Sequence, residues 1–471
     1  MPDVVVVGYG PAGASAAIAA HDAGYSAVIV EATGRGGGNA LYSGGFLFDL
    51  PDEHTLDHLE ALCFGRTDRA VLEAYAQGLH DIDSWLISLG GSTVAFDPPP
   101  MRLPAPFPSW PLSEAGRHIS YRVVAGGDGR RGEALWSLLD AAVRTRGIPV
   151  VLETTACELV IADGGVVGLV VDHDGTRSTI EADGGVVLAC GGFEGEAGLA
   201  DAYLPLGNTS PVGHAANTGR GLLMAQSAGA ALWHMYGFFG WFAFRRPEFA
   251  APFAIDFFGA GHIFVDADGR RFADETGYEV HDRLRALLTY LPRNANRPAL
   301  PSWAVFDETA RLAGPLNGLL GTPNDYRWSV DNADEVARGW IVAADSVEEL
   351  AHETGMDSAV LAATIAEYNA YAAAGRDERF GRSADTLVPL DTTRLYAIKT
   401  WPGIAGTTGG PRHDERARVL RPDSSAIPGL YAAGAVSMVW GHLIDHGGGL
   451  TNAIVFGRIA GADAAATTKA G

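Results

Sequence analysis

The stretch from Val4 to Gly45 constrains the fold more than any other part of the 471-residue chain. A β-branched run, Val4-Val5-Val6-Val7, leads into Gly8-Tyr9-Gly10-Pro11-Ala12-Gly13 and an Ala-rich segment ending at Gly24. A second apolar run, Ala27-Val28-Ile29-Val30, ends on Glu31. This is strand, G-x-G-x-x-G turn, helix, strand and terminal acid. Gly8 permits the tight turn, Gly10 lets the backbone approach a pyrophosphate, and Gly13 lets helix and strand pack closely. Pro11 and Ala12 open the helix, whose N-terminal amides attract phosphate. Glu31 lies 18 residues after Gly13. There a carboxylate accepts a hydrogen bond from a ribose 2′-OH, with Ala32 beside it. A glycine-rich turn in some other βαβ unit has no need of all these parts in register, so a bound dinucleotide is expected.

A glycine-rich loop directly behind that acid, Gly36-Gly37-Gly38-Asn39 and then Ser43-Gly44-Gly45, selects among dinucleotides. It can run along a flavin's pyrophosphate and ribityl chain, and a nicotinamide enzyme does not need it. With these motifs the chain resembles the FAD-dependent family that includes the fumarate reductase and succinate dehydrogenase flavoproteins, and more closely its 3-ketosteroid dehydrogenase branch. The resemblance implies an α/β fold: a Rossmann-like FAD-binding domain carrying an inserted α+β substrate domain that caps it. The FAD domain is expected over 1–225 and 395–471, and the capping domain over 226–394.

Later motifs continue the resemblance. A hairpin carrying Ala156, then Val186–Leu188 and Cys190-Gly191-Gly192, looks like the family's second FAD segment. Asp266 to Glu275 matches its G-x-R-F-x-N-E element, with Asp274 in place of Asn. Ala432-Ala433-Gly434 and Gly447-Gly448-Gly449-Leu450-Thr451 look like its closing segment. There a helix N-terminus at Leu450 and Thr451 faces the flavin's pyrimidine carbonyl and stabilises negative charge on the reduced ring. The family's Glu after Ala-Ala-Gly is Ala435 here. No histidine precedes the first Gly-Gly near Gly38, so FAD is expected to bind non-covalently.

Composition excludes several partners. With 34 basic and 56 acidic residues the net charge is −22, which disfavours nucleic acid and anionic membrane. The three cysteines, Cys63, Cys157 and Cys190, form no CxxC, so no metal or iron–sulfur motif is visible. A reducing cytoplasm is the simple expectation, with no signal peptide and no apolar run long enough to span a bilayer. The proline-rich run from Pro98 to Pro111, with Phe107 and Trp110, reads as a pocket wall or a surface loop. The aromatic residues crowded between Trp233 and Phe264 read as the capping domain's core, a dimer interface or a substrate cage.

The substrate machinery implied by the fumarate branch is missing. Its Thr-Glu-x-x-Arg element falls on Ala254, Ile255, Asp256, Phe257 and Phe258, and its proton-donating arginine near Glu279. Its histidine falls on Gly406, and its closing-turn arginine in Leu443-Ile444-Asp445-His446-Gly447. A dicarboxylate would lack its clamps and its acid. The ketosteroid branch implies a different chemistry: a tyrosine base takes an α-proton, the β-hydride goes to flavin N5, and donors hold the developing enolate. Tyr278 matches that base, offset by about one residue. His442 or His446 stands in for the branch's second tyrosine, with a backbone N–H from Gly447 or Gly448. Tyr121, Tyr236 and Tyr326 are reserves.

The expected substrate is a cyclic ketone, either 3-ketosteroid-like or a smaller cyclohexanone-type ring. It is read as a keto acid if Arg117, Arg122, Arg245 or Arg246 meets a carboxylate. The alternatives are a flavin-dependent enone or unsaturated-acid reductase, and a non-catalytic FAD-binding subunit. The electron acceptor, oxygen or a carrier, and the oligomeric state stay open.

Overall fold

In a computed structural model of the protein, residues 1–96, 118–126, 131–257, 259–277, 281–288, 300–317 and 323–468 are described. The opening unit is β1 (Val4–Val7), α1 (Pro11–Asp22) and β2 (Ala27–Val30), with β1 and β2 parallel. Pro11 sits in the first turn of α1, where its missing N–H costs nothing. Four further strands complete the sheet: β3 (Val150–Val151), β4 (Gly185–Leu188), β5 (Arg418–Leu420) and β6 (Ala426–Ala432). The order is β5-β6-β4-β1-β2-β3, and only β5 runs antiparallel to its neighbour. Both faces are covered. Val4 and Val6 point into one core with α1, α2 (Arg131–Thr145) and α3 (Gly448–Ala466). Val5 and Val7 point into a second core, under a three-stranded antiparallel sheet spanning 154–181. Strands buried on both sides read as unbroken β-branched runs, which is why Val4–Val7 is legible.

The second layer is a seven-stranded sheet with main order Phe253–Ala254, Phe238–Phe244, Leu395–Thr407, Ser302–Asp307, His262–Val265. Its central strand, Leu395–Thr407, pairs with three others along its 13 residues and takes Ser210–Pro211 as a further parallel neighbour. The boundary expected at 395 falls at the first residue of this strand. Phe242, Phe244, Phe253 and Phe264 form the core of this layer with Trp328 and Trp340. Three helices, Asp52–Cys63, Arg69–His80 and Ile82–Ser88, follow the glycine-rich loop. The first ends on Phe64, which takes a left-handed φ of 52°. Among the described residues, no helix is long and apolar enough to cross a membrane.

The helices α1 and α3 cross with almost no side chain between them. A Cβ on Gly457 would lie 2.4 Å from the Ala12 carbonyl oxygen, and one on Gly461 2.0 Å from that of Ala16. Gly461→Ala should gain about 1 kcal/mol of helix propensity. It should lose more to overpacking against a backbone that cannot rotate away, about 2 kcal/mol or more. The net result is a lower thermal midpoint with earlier release of flavin fluorescence on heating. An unchanged or raised midpoint would refute this packing.

Candidate active site

One cavity of about 1020 Å³ runs from the first βαβ turn to the second sheet. That is at the upper end of ordinary ligand pockets, about 300–1,000 Å³. Most of the residues expected around a dinucleotide line it: Gly8, Gly10, Pro11, Ala12, Glu31, Ala32, Gly38, Asn39, Ser43, Gly44, Gly45, Ala156, Cys190, Gly191, Gly434, Gly449 and Leu450. The other four support it from behind. A Cβ on Gly13 would stand 1.9 Å from the Gly8 carbonyl oxygen, so its glycine is needed for helix–strand contact. Gly37 donates its N–H to the Tyr9 carbonyl at 2.7 Å. Gly192 backs onto Thr407 and Glu194. Thr451 is buried, with Oγ1 2.6 Å from the Tyr75 hydroxyl.

The cavity suits a long, doubly charged dinucleotide. The N-termini of α1 and α3 both open onto it, so the positive ends of two helix dipoles meet the cavity. Gly8 (φ 103°) lies so close to Ala189 that a Cβ would stand 2.5 Å from its carbonyl oxygen. Gly38 (φ 50°) has open space where a side chain would be, so a ligand can lie directly on the backbone. Glu31 is held in place by the Tyr9 N–H (2.8 Å), the Thr33 N–H (2.8 Å) and the Thr33 hydroxyl (2.7 Å). Asn39 ties the glycine loop to the second sheet: its amide donates to the Ala405 carbonyl at 2.9 Å, and its Oδ1 accepts from the His214 N–H at 2.6 Å.

At the far end the wall is aromatic and imidazole-rich. His446 and His281 stand 4.8 Å apart, centroid to centroid. Phe46 lies 4.4 Å from His446, and Trp241 4.9 Å from His281. Phe239, Trp241 and Phe257 from the aromatic cluster reach the cavity, so that cluster is partly core and partly wall. Behind His446, buried Asp445 organises the closing turn. Its carboxylate accepts from the His446 N–H (2.7 Å) and from the Tyr121 hydroxyl (3.3 Å), and pairs with His58 Nε2 (2.7 Å). Its backbone carbonyl accepts the Gly448 N–H at 2.9 Å.

The catalytic expectations divide. His446 lines the cavity. His442 does not: it packs on Phe64 with Nδ1 3.2 Å from the Tyr236 hydroxyl, and burial pushes its pKa down to about 4. Gly448 does not line it either, because its N–H is spent on Asp445 and a Cβ there would meet the Trp440 ring. On that turn Gly447 and Gly449 do line the cavity. Tyr278 and Arg117 lie outside the described residues, as does the run Pro98 to Pro111.

Sequence reasoning missed His281, because a lone histidine carries no motif. It also missed Glu194, buried beneath the glycine loop. Glu194 accepts from the Asn217 amide at 2.7 Å and the Asn39 amide at 3.2 Å, yet burial pushes its carboxyl up to about 7. A carboxyl raised on folding stabilises the protein only while it stays protonated, so stability falls from about pH 4.5 to 7 and is flat above. The shift corresponds to about 3 kcal/mol. Glu194→Gln should leave the melting temperature nearly unchanged at pH 5 and raise it at pH 8. Equal effects at both pH values would refute a protonated Glu194.

The FAD binding domain family matches residues 3–451. The 3-oxosteroid 1-dehydrogenase of Mycolicibacterium smegmatis is 30% identical over 568 aligned positions, covering 99% of this chain and 98% of that protein. A probable fumarate reductase of Shewanella frigidimarina is 29% identical over 482 positions, covering 98% of this chain and 74% of that protein. In fold, the chain superimposes on the crystal structure of the 3-ketosteroid Δ1-dehydrogenase from Sterolibacterium denitrificans with a TM-score of 0.84. That match has 23% identity and covers 99% of each chain. The chain belongs to the FAD binding domain family, and it is an FAD-dependent oxidoreductase acting on CH–CH groups.

Proposed function

We propose that the substrate is a cyclic ketone, which loses two hydrogens from adjacent carbons to become an enone. The observation that carries this reading is the imidazole pair His446–His281, set in an aromatic wall beside the N-terminus of α3. Bound FAD supplies the hydride acceptor. The chain's own residues handle the ketone and the proton. The His446 ring and the Gly449 amide stand where they can donate to the ketone oxygen and hold the negative charge that grows there as the α-proton leaves. Asp445 fixes the His446 backbone through its amide, and His58 and Tyr121 fix Asp445 in turn. Tyr278, read from sequence as the base, directly follows cavity-lining Gly277, and His281 lies three residues beyond it. Phe46, Phe239 and Trp241 exclude water and present flat faces to a ring.

The alignment with the mycolicibacterial 3-oxosteroid 1-dehydrogenase runs to 568 positions against 471 residues here, so the relative carries segments that this chain lacks. That favours a ring smaller than a steroid.

Anaerobic mixing of the oxidised holoenzyme with a panel of cyclic ketones should bleach the flavin band with at least one of them. His446→Ala should slow that bleaching by about 10²–10³-fold, the usual loss for one enolate donor. His442→Ala should leave it within about twofold, because its ring is spent on Tyr236 and Phe64. No bleaching by any ketone, together with rapid reoxidation of dithionite-reduced enzyme by an enone, would overturn the dehydrogenase direction in favour of the reductase.

A further inference from the structure

Of the arginines read from sequence as carboxylate holders, the three that are described are engaged elsewhere. Arg122 pairs with Asp83 and donates to Thr93, Arg245 is held by Asn208, and Arg246 pairs with Glu248. Three other arginines line the cavity. Arg283 is already paired with Asp256. Arg220 opens the helix beside Cys190, on the dinucleotide side. Arg131 differs from both. It begins α2, so its charge adds to the positive end of a 15-residue helix.

The Arg131 guanidinium carbon lies 4.3 Å from the Phe96 ring centroid and 5.6 Å from that of Phe46. Phe46 is also the ring 4.4 Å from His446. Among the described residues no carboxylate pairs with Arg131, and burial alone lowers its pKa, with nothing to offset it. A close backbone contact fixes its position: a Cβ on Gly45 would stand 2.4 Å from the Arg131 carbonyl carbon. The cavity thus holds a cation laid on aromatic faces, one ring's width from the imidazole pair, with which no described carboxylate is paired. An apolar ring system placed there would bury the guanidinium against nothing that accepts its protons, which costs free energy. A carboxylate would satisfy it in a two-pronged hydrogen bond.

We propose that Arg131 binds a carboxylate on the substrate, so that the ketone handled at His446 is a cyclic keto acid. This rests on the cyclic-ketone reading above, with the ring lying over Phe46 between its two polar ends. It makes Arg131 a specificity-determining residue: a neutral ring of the same shape forfeits one charged contact.

The test is a binding titration that needs no turnover. Oxidised, FAD-loaded wild-type enzyme is titrated with benzoate and with benzamide, two flat rings of one shape that differ in charge, and the flavin difference spectrum is followed. Benzoate should bind about tenfold tighter or more, the worth of one charged hydrogen bond. Arg131→Gln should bring the two affinities together, chiefly by weakening benzoate. Arg131→Lys, which keeps the charge without the fork, should fall between. Equal binding of benzoate and benzamide by the wild type overturns the proposal, whatever the variants do. A preference for benzoate that survives in Arg131→Gln overturns it as well. Because neither ligand can be desaturated, this outcome is independent of whether any ketone bleaches the flavin.

Discussion

The site depends on close approach of backbone to backbone. Gly13 against Gly8, and Gly457 and Gly461 against Ala12 and Ala16, let α1 and α3 lie side by side directly on the sheet. With a larger residue at any of these points, the two helices separate and their N-termini no longer open onto one cavity. The electrostatics of that cavity are therefore a packing result. Two helix N-termini are brought to one cavity because methyl groups are missing some way behind them.

The same logic runs through the second layer. The ring wall is made by strand Phe238–Phe244, whose residues divide between two environments. Phe242 and Phe244 are core, while Phe239 and Trp241 face the cavity. The division follows the alternation of a strand, with Phe238, Phe242 and Phe244 on the core face and Phe239 and Trp241 on the cavity face, across a register shift in its pairing with Leu395–Thr407 between Phe239 and Gly240. A cage of rings over a flavin and a hydrophobic core are here two uses of one strand.

These features differed in how legible they were. The opening βαβ unit was readable in full, because glycine spacing, a β-branched run and a terminal acid are local signals. Seventeen of the residues expected around the dinucleotide line the cavity for the same reason. The misses share one cause. His281, Asp445, Glu194 and Arg131 gain meaning only from neighbours far along the chain, such as His58 on Asp445 and Asn217 on Glu194. No periodicity encodes those contacts. A turn rich in polar residues does not declare which of them face inward, and here His446 lines the cavity while His442 and Gly448 do not. Composition likewise cannot show that the strand starting at Leu395 is central to its sheet.

That central strand, Leu395–Thr407, also bears on how the molecule holds together. It is the partner of four other strands, and its last residue touches the first unit, where the Thr407 hydroxyl accepts the Phe193 N–H at 3.1 Å. The ladder of this strand lies wholly in the second sheet, so its ties to the first unit are side-chain contacts such as this one and the Asn39 amide on the Ala405 carbonyl.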